Sequence, residues 1–234
     1  MLLWTLLAAA PPSEHGPALV ASDHVRASEA GAEILSRGGN AVDAAVATAL
    51  AAGVVQPAGS GLGGGGFAIV VVPGEQPISL DFREVAPGAA HQDMYLGADG
   101  AGDVRLSQTG GLAVGVPGEA RGLAWLVNTY GVLTPRQVAA PAVRLAQRGF
   151  EVGPHLAGAL ERTKHPEIIA WFGIEDAEQQ EGRWIRRPKL ATSLKKWGAT
   201  DGNWLYNGSG AQHIVSEVQA VGGMLTLGDM QAYA

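Results

Sequence analysis

The sequence predicts a mixed fold in which helices of small residues alternate with short strands. Apolar residues recur at helical spacing between residues 27 and 35, which predicts a helix. The continuous apolar run from Phe67 to Val72 is rich in β-branched residues, as in a strand that is covered on both faces. The run from Ile78 to Arg83 alternates apolar and polar residues with the period of a strand.

The composition is that of a folded chain able to bury a core. The 234 residues are 47% hydrophobic and 16% charged, enough for one large domain or part of a larger one. The net charge of -6 gives no electrostatic basis for binding nucleic acid. The absence of cysteine excludes disulfides, thiolate metal sites and a cysteine nucleophile. The histidines have no metal-ligand spacing, so we expect neither a metal nor a cofactor.

The first elements follow in order from Ala18. A brief apolar strand is predicted over Ala18–Ala21, followed by the first helix, which ends at Gly38-Gly39. Asn40 is a natural N-cap for a second helix, and Asp43 in its first turn favours the positive end of the helix dipole. Because that helix is small and apolar all round, we expect it to be buried.

The middle of the chain contains a glycine-rich turn and the strand that ends in a polar cluster. Residues 56–66 form the turn, and the strand places Ile78, Leu80 and Phe82 on one face. Arg83 is therefore expected on the polar face, near the end of the strand. A further short strand is predicted over Leu112–Val116.

Capping signals define three later helices. The first extends from about Glu119 to Tyr130, with Gly131 as its C-cap. The second begins with a capping box at Thr134 and a proline at the first helical position, and it ends at Gly149. Thr226 and Asp229 begin the third, while the pattern after residue 151 is looser and more charged.

The segment Gly61–Gly66 formally matches the G-x-G-x-x-G fingerprint of dinucleotide-binding proteins. That fingerprint requires a strand before it and a helix after it, so that the helix N-terminus faces the pyrophosphate. Here a helix is predicted before the motif and a strand after it. The order disfavours a nucleotide site and favours a turn that needs positive φ or close backbone approach.

The cluster Asp81-Phe82-Arg83-Glu84 allows two interpretations from the residues alone. A guanidinium at a strand end can clamp a substrate carboxylate with two parallel hydrogen bonds. Alternatively, the arginine forms an internal ion pair with Asp81 and Glu84, which local sequence favours. A second group of cations is expected to form a solvated face: Arg183, Arg186, Arg187 and Lys189.

Several segments, in order, resemble the γ-glutamyltransferase (glutathione hydrolase) family. Together they cover roughly residues 16–234, and the whole series in family order is far more specific than any one segment. The matching segments are Arg26–Gly31, Gly38–Ala47, Ser60–Phe67, Asp81–Glu84 with Ala86-Pro87, Gly110–Gly118 and Gly222–Leu227.

The resemblance implies an α+β fold, the four-layer αββα sandwich of N-terminal-nucleophile hydrolases, incomplete in this chain. It implies self-cleavage of a precursor into two subunits and attack on a γ-glutamyl amide by the freed N-terminal threonine of the small subunit. The implied partners are glutathione or another γ-glutamyl donor, an amino acid, peptide or water as acceptor, and the small subunit. Arg83 matches the arginine that holds the glutamyl α-carboxylate, and Glu84 matches a glutamate thought to support that site.

The departure from the family pattern concerns the nucleophile. No Thr-Thr-His or Thr-Ser-His junction occurs in the sequence, so no catalytic residue is assigned in this chain. We expect residues 16–234 to be the N-terminal, truncated portion of the large subunit and to be inactive alone. The alternative is a non-catalytic or truncated relative that acts as a binding domain. A reading frame that continues past Ala234 into a threonine junction would distinguish the two.

Residues 1–12 are a candidate short signal segment, with an apolar core and small residues at Ala8–Ala10. The segment lacks a positive start, and Pro11 follows the best cleavage position. On this basis we expect a periplasmic or secreted protein rather than a cytoplasmic one. No stretch approaches the roughly 20 apolar residues that span a bilayer.

Overall fold

A computed structural model describes residues 18–163, 166–172 and 180–233. Within these ranges the chain forms eleven α-helices and four short strands. The helices are α1 Val25–Ser36, α2 Ala41–Val55, α3 Val104–Gln108, α4 Glu119–Tyr130, α5 Pro135–Arg148, α6 Pro154–Arg162, α7 Pro166–Trp171, α8 Pro188–Thr200, α9 Trp204–Asn207, α10 Ser209–Ala220 and α11 Leu227–Ala232. The strands are β1 Phe67–Val70, β2 Ile78–Asp81, β3 Phe150–Glu151 and β4 Trp184–Ile185.

Local capping explains why the predicted helices begin where they do. Asn40 accepts hydrogen bonds from the amides of Val42 and Asp43, and Asp43 accepts one from the amide of Asn40, which completes a capping box. Thr134 and Gln137 form the same arrangement at the start of α5. Thr226 and Asp229 form it at the start of α11. These three predicted helix starts are confirmed.

The core lies between α2, α4, α5 and α8. Helix α2 is buried on nearly every side, as its composition predicts. Trp197 of α8 is fully buried, and its Nε1 donates to the carbonyl of Ala120 at 2.8 Å, which ties α8 to α4. Arg187, directly before α8, bonds to the C-terminal end of α2, and this contact matters for the site described below because it brings distant parts of the sequence to one pocket.

The strands form two small antiparallel sheets. In the first, Phe67 pairs with Asp81 and Val70 with Ile78, and backbone hydrogen bonds between Gly66 and Phe82 extend the ladder by one pair. In the second, β3 pairs with β4. Helix α2 precedes the glycine turn and β1 follows it, so the element order that disfavours a nucleotide site is confirmed.

Three predictions about strands are wrong. Residues 18–21 form no strand; instead Val20 lies against α1, where a side chain at Gly31 would meet it. The strand predicted over Leu112–Val116 is also absent. Residues 111–113 form a 3-10 turn, because Gly110 has φ 82° and Gly111 packs closely against Gly223. Within residues 112–116 only Val116 forms a β-bridge, with Val85.

The third wrong prediction concerns coverage of β1. The strand is shorter than predicted, and its apolar side chains are open on one face, with Phe67, Ile69 and Val71 exposed. The pattern of the segment is that of a covered strand, but no described element of this chain covers it. The candidate signal segment, residues 1–12, lies outside the described residues.

Candidate substrate-binding site

Arg83 lies one residue beyond the buried Phe82, just past the end of β2. Its amide donates to Asp81 Oδ1 at 2.9 Å, and its carbonyl accepts from the hydroxyl of Tyr233 at 2.8 Å. The backbone is therefore held on both sides, while the Arg83 side chain is 55% exposed. The predicted position, on the polar face near a strand end, is confirmed.

The contact between Arg83 and Glu84 is weak. Arg83 Nη2 lies 3.4 Å from Glu84 Oε2, with an orientation that forms no hydrogen bond. Asp81 binds the backbone of Arg83 and makes no ion pair with its guanidinium. The ion-pair alternative is thus present only between Arg83 and Glu84. Among the described residues the guanidinium has no other ionic partner, so its hydrogen-bonding edge is available to a ligand.

The glycine turn packs beside Arg83. The carbonyl of Gly64 accepts hydrogen bonds from the amides of Gly118 and Glu119, at the start of α4. A side chain at Gly65 would collide with the backbone of Phe82 and Arg83, so only glycine permits this approach. The turn therefore sets the distance between the start of α4 and the end of β2.

Glu119, the first residue of α4, places a buried carboxyl group beside the glycine turn. Its side chain is only 6% exposed, and Oε2 accepts a hydrogen bond from the amide of Gly61 at 3.2 Å. The pKa of Glu119 is raised to about 7, mainly by burial; the Gly61 hydrogen bond opposes the rise, and the nearby carboxylate of Glu84 contributes a smaller part of it. The carboxyl of Glu119 therefore keeps its proton to higher pH than an ordinary glutamate does.

Two carboxyl oxygens at the site have no hydrogen-bond partner within the part of the chain that the structure describes. They are Glu84 Oε2 and Glu119 Oε1. Both carboxyl groups lie within 4 Å of the place where a side chain at Gly64 would begin. Buried carboxyl oxygens without a hydrogen bond are costly to folding, so these two are candidates for contact with a ligand.

Arg187 contradicts the predicted solvated face. It precedes α8, and its Nη1 donates to the carbonyls of Gly53 and Val54 at 2.8 Å and 3.1 Å, at the C-terminal end of α2. Burial lowers the pKa of Arg187 to about 10. Its guanidinium also lies 5.1 Å from the ring centre of Phe172. The sequence alone cannot reveal these two hydrogen bonds, because Gly53 and Val54 are more than 130 residues away from Arg187.

These groups line one pocket of about 680 Å³. One wall is the glycine turn with Arg83, Glu84 and Glu119, and the other is formed by α8, α9 and α10 with Arg187. The volume suits a small peptide or amino-acid derivative. Within residues 18–163, 166–172 and 180–233 no three His, Asp or Glu side chains cluster as metal ligands. In the same ranges, every helix is too short or too polar to cross a bilayer.

The sequence matches the profile of the family described as Gamma-glutamyltranspeptidase over residues 27–234. The chain belongs to this family. It is 37% identical to Glutathione hydrolase 2 of Arabidopsis thaliana over 220 residues, which cover 92% of this chain and 37% of that protein. It is 36% identical to the Glutathione hydrolase proenzyme of Escherichia coli, again over 92% of this chain and 38% of that protein.

The fold agrees with solved members of the γ-glutamyltranspeptidase family. The crystal structure of Helicobacter pylori gamma-glutamyltranspeptidase superposes with a TM-score of 0.89 at 33% identity, over 96% of this chain and 66% of that one. The predicted fold class is confirmed as a partial α+β fold of the N-terminal-nucleophile hydrolase type. The described residues form two two-stranded sheets, and the chain spans little more than a third of the length of the curated relatives.

Sequence reasoning identified Arg83 and Glu84 but missed Glu119 and Arg187. A glutamate directly after Pro117-Gly118 at a helix start is ordinary, since acidic residues favour that position. Only the packing of the glycine turn reveals that its carboxyl is buried. The roles of Arg83 and Glu84 as substrate contacts stay predictions.

Proposed function

We propose that this chain supplies the γ-glutamyl-binding half of a γ-glutamyltransferase or glutathione hydrolase. The enzyme would cleave the γ-glutamyl amide of glutathione or a similar donor and pass the glutamyl group to water or to an amine. The observation that supports this most directly is the position of Arg83. Its side chain is more than half exposed and lines a pocket, in a chain of this family.

Arg83 would hold the α-carboxylate of the donor through two parallel hydrogen bonds. Glu84, 3.4 Å from the guanidinium, would limit its rotation and keep both N–H groups directed into the pocket. The glycine turn would keep this edge fixed with respect to the start of α4. Fixing the donor at one end places its γ-carbonyl at a constant position for attack, which is the entropic part of catalysis.

The covalent step would come from a threonine that is not in this chain. Its hydroxyl oxygen would bond to the γ-carbonyl carbon, while its own amine accepts the hydroxyl proton. Collapse of the intermediate would break the amide bond, and the departing amine would take up the proton. Water or an acceptor amine would then cleave the resulting ester and release glutamate or a new γ-glutamyl product.

Replacement of Arg83 in the full-length protein tests the assignment. Arg83→Ala should lower kcat/KM for γ-glutamyl donors by about 100-fold, since two charge-assisted hydrogen bonds are lost. Arg83→Lys should retain part of the activity because it keeps the charge but not the fork. Arg105→Ala is the matched control, because Arg105 is an exposed arginine that pairs with Asp103. Unchanged kinetics in Arg83→Ala would disprove the assignment.

The exposed face of β1 suggests where the small subunit would dock. Phe67, Ile69 and Val71 present apolar side chains that no described part of this chain covers. A second layer of sheet would bury them, as the strand pattern predicts. Cross-linking from residue 69 to the small subunit of the processed protein would support this arrangement. Ready labelling of residue 69 by a water-soluble reagent in that complex would contradict it.

Periplasmic or secreted localisation is proposed from residues 1–12 alone. The test is cell fractionation of the full-length protein with and without this segment. Retention of both forms in the cytoplasm would overturn the proposal.

A further inference from the structure

Arg187 has a feature that its structural role does not explain. Only Nη1 is used at the end of α2; no hydrogen bond from Nε or Nη2 occurs within the described ranges, and no carboxylate pairs with the guanidinium there. Arg187 is half-buried, and cations withdrawn from water are normally paired with an acidic group, because desolvation of an unpaired charge is costly. The C-terminal carbonyls of α2 offset part of this cost. Arg187 also lines the pocket.

The surroundings of Arg187 favour an anion. Helix α8 begins immediately after it, and α10 begins nearby; neither N-terminus has a side-chain cap. Gly210 and His213, in the first turns of α10, line the same pocket. Helix α8 begins with Pro188, which has no N–H, so it is the free N–H groups at the start of α10 that chiefly add positive potential to that of the guanidinium. The two glutamates of the pocket lie beside the glycine turn, and neither forms an ion pair with Arg187.

We propose that Arg187 is a specificity-determining residue that binds a second carboxylate of the donor, at the end remote from the α-carboxylate held by Arg83. This inference rests on the proposed function, and it assigns the substrate class more narrowly. Preferred donors are γ-glutamyl amides whose leaving amine carries a carboxylate, such as γ-glutamyl amino acids and peptides. Donors with a neutral leaving amine bind only through the glutamyl end.

A pair of donors that differ in one group tests the proposal. L-γ-glutamyl-glycine carries the second carboxylate, and L-γ-glutamyl-glycinamide replaces it with a neutral amide. In the full-length protein, wild type should use the glycine donor with at least about 10-fold higher kcat/KM, since a charge-assisted hydrogen bond is lost with the amide. Arg187→Gln should remove this preference, mainly by raising KM for the glycine donor, and should lower kcat/KM for the glycine donor far more than for the glycinamide donor.

Arg186→Gln is the matched control, because Arg186 is the exposed neighbour on the same segment. It should keep the wild-type preference. Equal losses for both donors in Arg187→Gln would show that the residue only supports α2, and would overturn the proposal. If Arg187→Gln does not fold, the wild type decides, since equal use of both donors overturns the proposal alone. Failure of wild type to turn over either donor would overturn the proposed function itself.

Discussion

The helix α2 and the strand β1 are both rich in apolar residues, yet their surroundings are opposite. Val46, Val54 and their neighbours on α2 are fully buried between α1, α4, α5 and α8, whereas Ile69 on β1 is 76% exposed. The glycine turn joins these two regions, and the pocket lies along it. The difference separates a core that this chain completes by itself from a sheet face that it does not cover.

The same difference appears in the two arginines of the pocket. Arg83 follows the antiparallel pair β1 and β2, and its side chain is more than half exposed. Arg187 belongs to the helical region, and its environment depends on α2 and α8 packing together. The position of Arg83 follows from a local strand pattern, while that of Arg187 follows from the tertiary fold. The predictions below test whether stability resides in the helical region.

The largest expected effect is at Trp197, the fully buried side chain that ties α8 to α4. Trp197→Ala removes a large buried ring and leaves the carbonyl of Ala120 without its donor, so the free energy of unfolding should fall by about 4 kcal/mol. The measurement is urea unfolding followed by circular dichroism. Trp184→Ala is the control, since Trp184 is 55% exposed and donates to Arg148. A similar loss in both variants would contradict a core centred on α8.

The second effect depends on pH and tests the boundary between the two regions. The pKa of Glu119 is raised from 4.5 to about 7 in the folded state, so the folded protein holds a proton that the unfolded chain releases. The associated stability is fully present below pH 4.5, and it is lost as pH rises through 7. Glu119→Gln should therefore be more stable than wild type at pH 8, by up to about 3 kcal/mol.

The control for this effect is internal, because well below pH 4.5 the Glu119 carboxyl is neutral in both the folded and the unfolded state. Urea midpoints of wild type and Glu119→Gln should converge there and separate between pH 5 and 7. A difference between the two proteins that stays constant over this range would show that Glu119 keeps an ordinary pKa.

The third effect is at Asp43, a fully buried carboxylate in the helical region. Besides capping α2, it accepts hydrogen bonds from the amides of Val132 and Leu133 in the loop between α4 and α5. Asp43→Ala leaves these amides unpaired and should cost about 2 kcal/mol in urea unfolding. Asp103→Ala removes the cap of the short helix α3, which has no buried residue, and should cost far less. Equal costs would mean that Asp43 acts only as a cap.

The sequence predicts those parts of the fold whose signals are local. Asn40, Thr134 and Thr226 mark helix starts because each cap is satisfied within three residues. Helices α8 and α10 were missed because neither has a capping side chain at its start. The strand predicted over Leu112–Val116 failed for a tertiary reason, the close approach of Gly111 to Gly223.

The same distinction applies to the site. Arg83 was placed correctly because the alternation of β2 fixes its face. The burial of Arg187 and Glu119 depends on contacts with Gly53 and Gly61, which no periodic pattern encodes. A strand pattern likewise indicates which faces are apolar, but not whether the covering layer belongs to the same chain. That is why β1 was predicted to be buried.

The smallest effect on stability is expected at Ile69, on the open face of β1. Ile69→Thr keeps a β-branched residue and removes apolar surface that is already in water, so the free energy of unfolding should change by less than about 0.5 kcal/mol. Self-association of the chain, measured by sedimentation, should decrease, because an exposed apolar strand favours pairing with other copies. The control is Val54→Thr, which places an unpaired hydroxyl in the helical core and should be clearly destabilising. If Ile69→Thr were as costly as Val54→Thr, β1 would be covered in solution, and the contrast between the two regions would not hold.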